Sequence, residues 1–247
     1  MSIKSQAEFE KLRVIGRIVR QALDKTASAV RPGITTGELN EIGARVLLEN
    51  GAESAPPKVY GFPAELCISV NDEAIHGIPG ERVIQSGDLV KLDLVAEKDG
   101  FYADAAVSIH AGEIGATAGA LARCAKRAFY RALGSARAGN RVHEIGRVVE
   151  RETRNSGFQV MRDLCGHGVG RTIHEPPSVP NYHEPRLKTR LTEGLVITIE
   201  PIIAAGIGRS VLKSDRWTIR TADGSLSAHY EHTIVVTKRE PILLTAA

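Results

Sequence analysis

Five side chains suited to binding hard metal ions recur along the chain, each in a short context where hydrophobic alternation or glycine constrains the backbone. They are Asp93 in Leu92-Asp93-Leu94, Asp104 beyond the Asp99-Gly100 turn, His167 in Gly166-His167-Gly168, Glu200 in Ile199-Glu200-Pro201 and Glu231 in Tyr230-Glu231-His232. Four carboxylates and one imidazole form an oxygen-rich donor set that suits Mn, Fe(II), Co or Zn, and bridging carboxylates can hold two such ions close together. The chemistry this implies is metal-assisted hydrolysis. The three cysteines, Cys67, Cys124 and Cys165, are widely spaced and lack the CxxC pairing of zinc sites built on sulfur.

Each acid taken alone is ordinary, since a carboxylate on the polar face of a strand is usually solvated. The pair Asp93 and Asp104 is less so. A period of two puts Leu92 and Leu94 on one face of a strand and Lys91, Asp93 and Val95 on the other. A hairpin through Asp99-Gly100 then returns Asp104 toward Asp93, and like charges side by side are costly unless a cation or a proton joins them. Around His167, three glycines permit close backbone approach and positive φ. Neither a Lys-Ser/Thr pair nor a helical pattern follows, which excludes a phosphate loop. Pro201 prevents ladder pairing beyond Glu200 and so puts that acid at a sheet edge or cleft mouth. His76 lies in a loop with turn residues at both ends, where it either donates to a substrate or caps the loop.

The elements that must position these groups are legible from periodicity. Ser5 and Glu8 have capping-box spacing before Phe9, Leu12, Ile15, Val19 and Leu23, and Thr35 with Glu38 repeats the box before a second helix that stops at Asn50-Gly51. Strands are expected over Leu66 to Val70, Leu89 to Val95 and Phe101 to Ile109. Helices over about Ala116 to Ala138 and Val142 to Asn155 follow, then strands over Phe158 to Met161, Leu195 to Ile199 and Thr233 to Val236. Helix, helix, strands therefore occurs twice, which predicts an α+β fold with internal pseudo-symmetry. With 247 residues, 43% apolar and 25% charged, and no low-complexity linker, the chain is expected to form a single domain, 1–247. A net charge of +3 from interspersed residues points away from nucleic-acid binding. No run approaches the length of a membrane span, and the charged, amphipathic start does not read as a signal peptide, so a reduced, cytoplasmic protein is expected.

Taken in order, Asp-x10-Asp in a hairpin, Gly-His-Gly, Thr-Ile-Glu-Pro and Tyr-Glu-His-Thr resemble the type I methionine aminopeptidases of the pita-bread metallopeptidase family, from Ser5 to Val236. The resemblance implies a pita-bread fold, an antiparallel sheet with helix pairs related by a pseudo-two-fold axis. It implies two divalent metal ions (Co, Mn, Fe(II) or Zn), with Asp104 and Glu231 bridging, Asp93 chelating one ion and His167 with Glu200 completing the other. A metal-activated water would attack the scissile carbonyl, Glu200 would carry its proton to the leaving amine, and His76 and His174 would donate to the substrate. Phe62, Cys67, His76 and Trp217 would line a pocket for an unbranched thioether. Val59, Ile75, Ala105 and Ile173 depart from the residues usual at their positions. The implied substrate is the N-terminal methionine of peptides and nascent chains when the second residue is small. The length fits a minimal bacterial or organellar enzyme, expected to be a monomer, for which contact with the ribosome would make sense.

Overall fold

The protein, seen in a computed structural model that describes residues 1–246, is built on a sheet of nine strands. Across its main path run Glu53–Ser54, Leu89–Lys98, Phe101–His110, Glu231–Val235, Val196–Ile199, Cys165–Gly168 and Glu175–Pro180, every pair antiparallel. Cys67–Val70 adds to Leu89–Lys98, and Ile242–Leu243 adds to Glu231–Val235. Two small three-stranded sheets flank this one, and one of them pairs Ile202–Ala204 with Ser227–His229.

Five helices accompany the sheets: α1 (Gln6–Ala29), α2 (Thr36–Glu49), the short α3 (Ala55–Tyr60), α4 (Ala116–Leu133) and α5 (Val142–Asn155). The Ser5 hydroxyl accepts from the Glu8 amide to start α1, and the reciprocal Thr35–Glu38 capping box starts α2, satisfying amides that a helix otherwise leaves unbonded. α4 stops at Leu133, short of the expected Ala138, where Gly134 follows and carries the C-cap. Glycine has the weakest hold on helical conformation next to proline, which is the physical reason for the earlier stop.

Each helix pair packs on its own half of the sheet. Leu12, Ile15, Val19 and Leu23 of α1 join Leu92, Leu94, Ala103 and Ala105 in one core, while Leu121, Phe129, Ile145 and Val149 of α4 and α5 join Ile197, Ile199 and Ile234 in a second. Burying each large aliphatic contributes about 1.5–3 kcal/mol. This duplicated arrangement is the pita-bread architecture, with the expected pairs α1/α2 and α4/α5 in corresponding roles. The period-two alternation then decides what faces the other way. Because Leu92, Leu94, Ala103, Ala105, Ile197 and Ile199 all face the helices, Asp93, Asp104, Thr198 and Glu200 face away from them, together on the open side of the sheet. No helix among the described residues is long and apolar enough to cross a membrane.

Candidate metal centre and substrate pocket

The register places the acids in a row. Asp93 lies opposite Ala106, and Ala106 lies opposite Glu231 on the next strand. Asp104 pairs with Val95, so it is a diagonal neighbour of Asp93 on the same face and not directly opposite it. Beyond Glu231, His232 pairs with Ile199, which brings Glu200 into the row from the end of the Val196–Ile199 strand. His167 arrives from the Cys165–Gly168 strand, its amide donating to Thr198 Oγ1 at 3.0 Å. The same hydroxyl donates to Glu200 Oε1 at 2.8 Å and fixes that carboxylate.

The glycines beside His167 serve this approach differently from the sequence expectation. Neither Gly166 nor Gly168 has positive φ, whereas Gly170 does. A Cβ on Gly166 would meet the Thr198 carbonyl oxygen at 2.7 Å, and one on Gly168 would press on the Pro176 carbonyl. Room for neighbouring strands, and not for a ligand, is therefore what these two glycines provide. The Gly-His-Gly segment is a strand, Cys165–Gly168, and the proline-rich Glu175–Pro180 is the edge strand beside it. Prolines are tolerated there because an edge strand has one side without a ladder to satisfy.

Two triads of ligand atoms, each with its members within 4.8 Å of one another, result: Asp104, His167 and Glu231, and Glu200, His229 and Glu231. They share Glu231. Asp93 belongs to neither triad, although its charge reaches Asp104 and Glu231. Burial pushes the carboxyls of Asp104, Glu200 and Glu231 well above the usual range; Glu231 is the next cause for the first two, and Asp93 for Glu231 itself. Burial raises Asp93 as well, against the pull of His229. Asp104 Oδ1 and Glu231 Oε1 are buried without any hydrogen-bond partner. Buried oxygens that repel one another and lack donors are costly, and divalent cations would remove both penalties, so the residues fit a metal centre.

His167 is oriented for that role. Its Nδ1 donates to the Gly168 carbonyl at 2.9 Å, which leaves the Nε2 lone pair 3.5 Å from Glu200 Oε1 and 3.6 Å from Asp104 Oδ2. Burial, and next the neighbouring His174, lowers its pKa to about 4 and keeps the ring neutral.

Above these groups lies a cavity of about 590 Å³. Phe62 and Trp217 meet edge to face on its wall, with centroids 5.3 Å apart, and Cys67, directly opposite Asp93 on the neighbouring strand, lines it too. Burial and then Asp93 raise the Cys67 thiol, which holds it neutral. His76 has φ of 57°, a left-handed conformation that costs a non-glycine residue about 1–2 kcal/mol and that recurs where function demands it. Burial and then His229 lower the His76 pKa to about 4. His174 stacks edge-on against His167 at 4.2 Å, and its pKa is lowered by burial and then by His76.

All of the sequence-predicted site residues thus converge on one pocket. Of the four departures, Ile75 and Ile173 line it, while Val59 is exposed and Ala105 faces the first core. Two further residues belong to the site without a motif to mark them. The Tyr60 hydroxyl lies 2.7 Å from His174 Nδ1, across 114 residues of chain, and no local pattern announces that contact. His229 is 1% exposed with both ring nitrogens unpartnered, and its only signal in the sequence is its place two residues before Glu231.

The model of metallopeptidase family M24 matches residues 10–238. The chain is 44% identical over 247 residues to "Methionine aminopeptidase 2" of Bacillus subtilis (strain 168), covering 99% of each. It is 39% identical over 243 residues to a methionine aminopeptidase of Clostridium perfringens, covering 98% of each. The crystal structure of the Thermotoga maritima methionine aminopeptidase superposes with a TM-score of 0.97 at 34% identity, covering 100% of both chains.

Proposed function

The chain belongs to metallopeptidase family M24, and from that membership and the pocket's geometry we propose that it is a type I methionine aminopeptidase acting on N-terminal methionine followed by a small residue. The observation that carries the reading is the pair of ligand triads sharing Glu231 on the floor of an aromatic-walled cavity. Two divalent ions, Co, Mn, Fe(II) or Zn, are proposed, held by Asp93, Asp104, His167, Glu200 and Glu231. When bound, such ions lower the pKa of water and polarise the scissile carbonyl.

The chain's own groups account for the rest. Glu200, whose carboxyl is raised by burial yet steadied by the Thr198 hydroxyl, is the group to hold the proton taken from the attacking water and pass it to the leaving amine. With Tyr60 donating to Nδ1, His174 carries its proton on Nε2 and can donate it to the oxygen on which charge develops. His76, held by its strained backbone, is assigned in this proposal as the donor to the substrate amide. Phe62, Trp217 and Cys67 offer apolar and soft contacts to a thioether. Cytoplasmic action as a monomer on chains emerging from the ribosome completes the proposal.

The test is anaerobic reconstitution with each metal, followed by kinetics on Met-Ala, Met-Lys and Xaa-Pro peptides. Cleavage of Met-Ala with little of Met-Lys is expected, and His76→Ala or His174→Ala should lower kcat by about a hundredfold with the fold intact. Preferential cleavage of Xaa-Pro would overturn the reading.

A further inference from the structure

We propose that His229 is a sixth protein ligand of the metal centre, binding through Nε2 the ion held by Glu200 and Glu231. The inference rests on the two-ion reading above and adds a second imidazole, besides His167, to a donor set otherwise made of carboxylates.

Several independent features point the ring at the centre. His229 ends the Ser227–His229 strand, which belongs to the small sheet and not to the one carrying the other ligands. Its backbone is nonetheless tied to the ligand-bearing hairpin, because its amide donates to Ser108 Oγ at 3.0 Å and its carbonyl accepts from the same hydroxyl at 2.8 Å. The ring therefore enters the cavity from a fixed anchor. Neither nitrogen has a protein partner, in a residue that is 1% exposed. A buried imidazole left that way costs free energy, and the same fold satisfies the two nitrogens of the neighbouring buried His232 with Thr245 and Tyr230. His229 Nε2 lies 3.4 Å from Glu231 Oε2, too far for a strong hydrogen bond but close enough for both atoms to face one cation. The two triads then correspond, each with one imidazole, one carboxylate of its own and the shared Glu231.

Imidazole nitrogen favours Zn, Fe and Co over Mn, so a second histidine raises affinity for those ions at the site it joins. The experiment uses the whole chain, stripped with chelator and checked by circular dichroism. Calorimetric titration with Zn(II) and with Mn(II) gives stoichiometry and affinity. Pulsed electron paramagnetic resonance on Mn(II)-loaded protein carrying 15N-histidine counts the coordinated imidazole nitrogens. The wild type should bind two ions and show two coupled imidazoles. His229→Gln and His229→Ala should each lose one of these couplings and weaken one ion at least about tenfold, with the larger loss for Zn(II), while His167→Ala should lose the other coupling. A wild-type spectrum with a single imidazole, the one lost in His167→Ala, would overturn the proposal whatever the folding of the His229 variants. So would His229 variants that keep both couplings and both affinities. Wild-type protein that binds no ion would instead overturn the metal-centre reading itself.

Discussion

Asp104→Asn is expected to stabilise the metal-free protein while destroying its response to metal. Asp104 and Glu231 have ligand oxygens within 4.8 Å of each other in a site where both residues are nearly inaccessible. At the effective dielectric suited to buried sites, two full charges at that separation repel by about 3 kcal/mol. Partial protonation of the cluster relieves some of this, so removing one charge should gain about 1–3 kcal/mol near pH 7.5. For a chain of this size that corresponds to a rise in Tm of about 2–12 °C. The direction with pH follows from linkage. The folded carboxyls lie above their unfolded values, so the folded state binds more protons, and stability present below the unfolded pKa is lost as pH rises through the folded values. The advantage of Asp104→Asn should therefore be small near pH 4 and grow toward neutrality. Saturating Mn(II) should reverse the order, since a ligand at a thousand times its Kd adds about 4.1 kcal/mol to the wild type. Scanning calorimetry in chelator and in Mn(II), at pH 4 and 7.5, measures all four values. A chelated variant no more stable than wild type at pH 7.5, or equally advantaged at pH 4, would refute the electrostatic argument.

Three other outcomes are expected. Tyr60→Phe removes the donor to His174 Nδ1 and should lower kcat by up to about tenfold with KM little changed, read by steady-state kinetics on Met-Ala peptides. Trp217→Ala removes the edge-on partner of Phe62 and should raise KM for methionyl substrates about tenfold or more, leaving metal content unaltered by elemental analysis. Lys91→Met should stabilise the protein at pH 7 by a few kcal/mol in urea unfolding. Lys91 is fully buried, and burial drives its pKa to about 7, below the usual 10.5, so the unfolded state binds more protons over that interval and wild-type stability should climb from pH 7 to pH 9, a slope that the variant lacks. The Asn71 carbonyl that Lys91 serves keeps two donors from Ser227, so the loss of the ammonium leaves no orphan there.

What could be read from the sequence was whatever is encoded within a few residues. The caps at Ser5 and Thr35 satisfy their own helix starts, and Asp93, Asp104 and Glu200 stand out because alternation with core aliphatics fixes which face they occupy. Register is a different quantity, set by the turn and by pairing along the whole hairpin. The diagonal offset of Asp93 from Asp104, and the row running through Ala106 to Glu231, therefore emerged only with the sheet. Proline is a local signal for a loop, yet the prolines of Glu175–Pro180 stand in an edge strand, a position that only the assembled sheet defines.

His229 marks the limit of such reading most clearly. A histidine at the end of a three-residue strand has no periodicity, no glycine and no turn to distinguish it, and the nearby His232, inside the next strand, has a wholly structural fate between Thr245 and Tyr230. The difference between them arises where two sheets meet: Ser108 of the ligand-bearing hairpin clamps the backbone of His229 and commits its ring to the cavity. A metal centre assembled at such a junction can gain or lose a ligand through a single substitution on the smaller sheet, without altering any motif on the larger one. Ligand number at this centre is thus set partly by tertiary anchoring, and two chains with the same five motif residues can differ in metal preference through the residue at this one position.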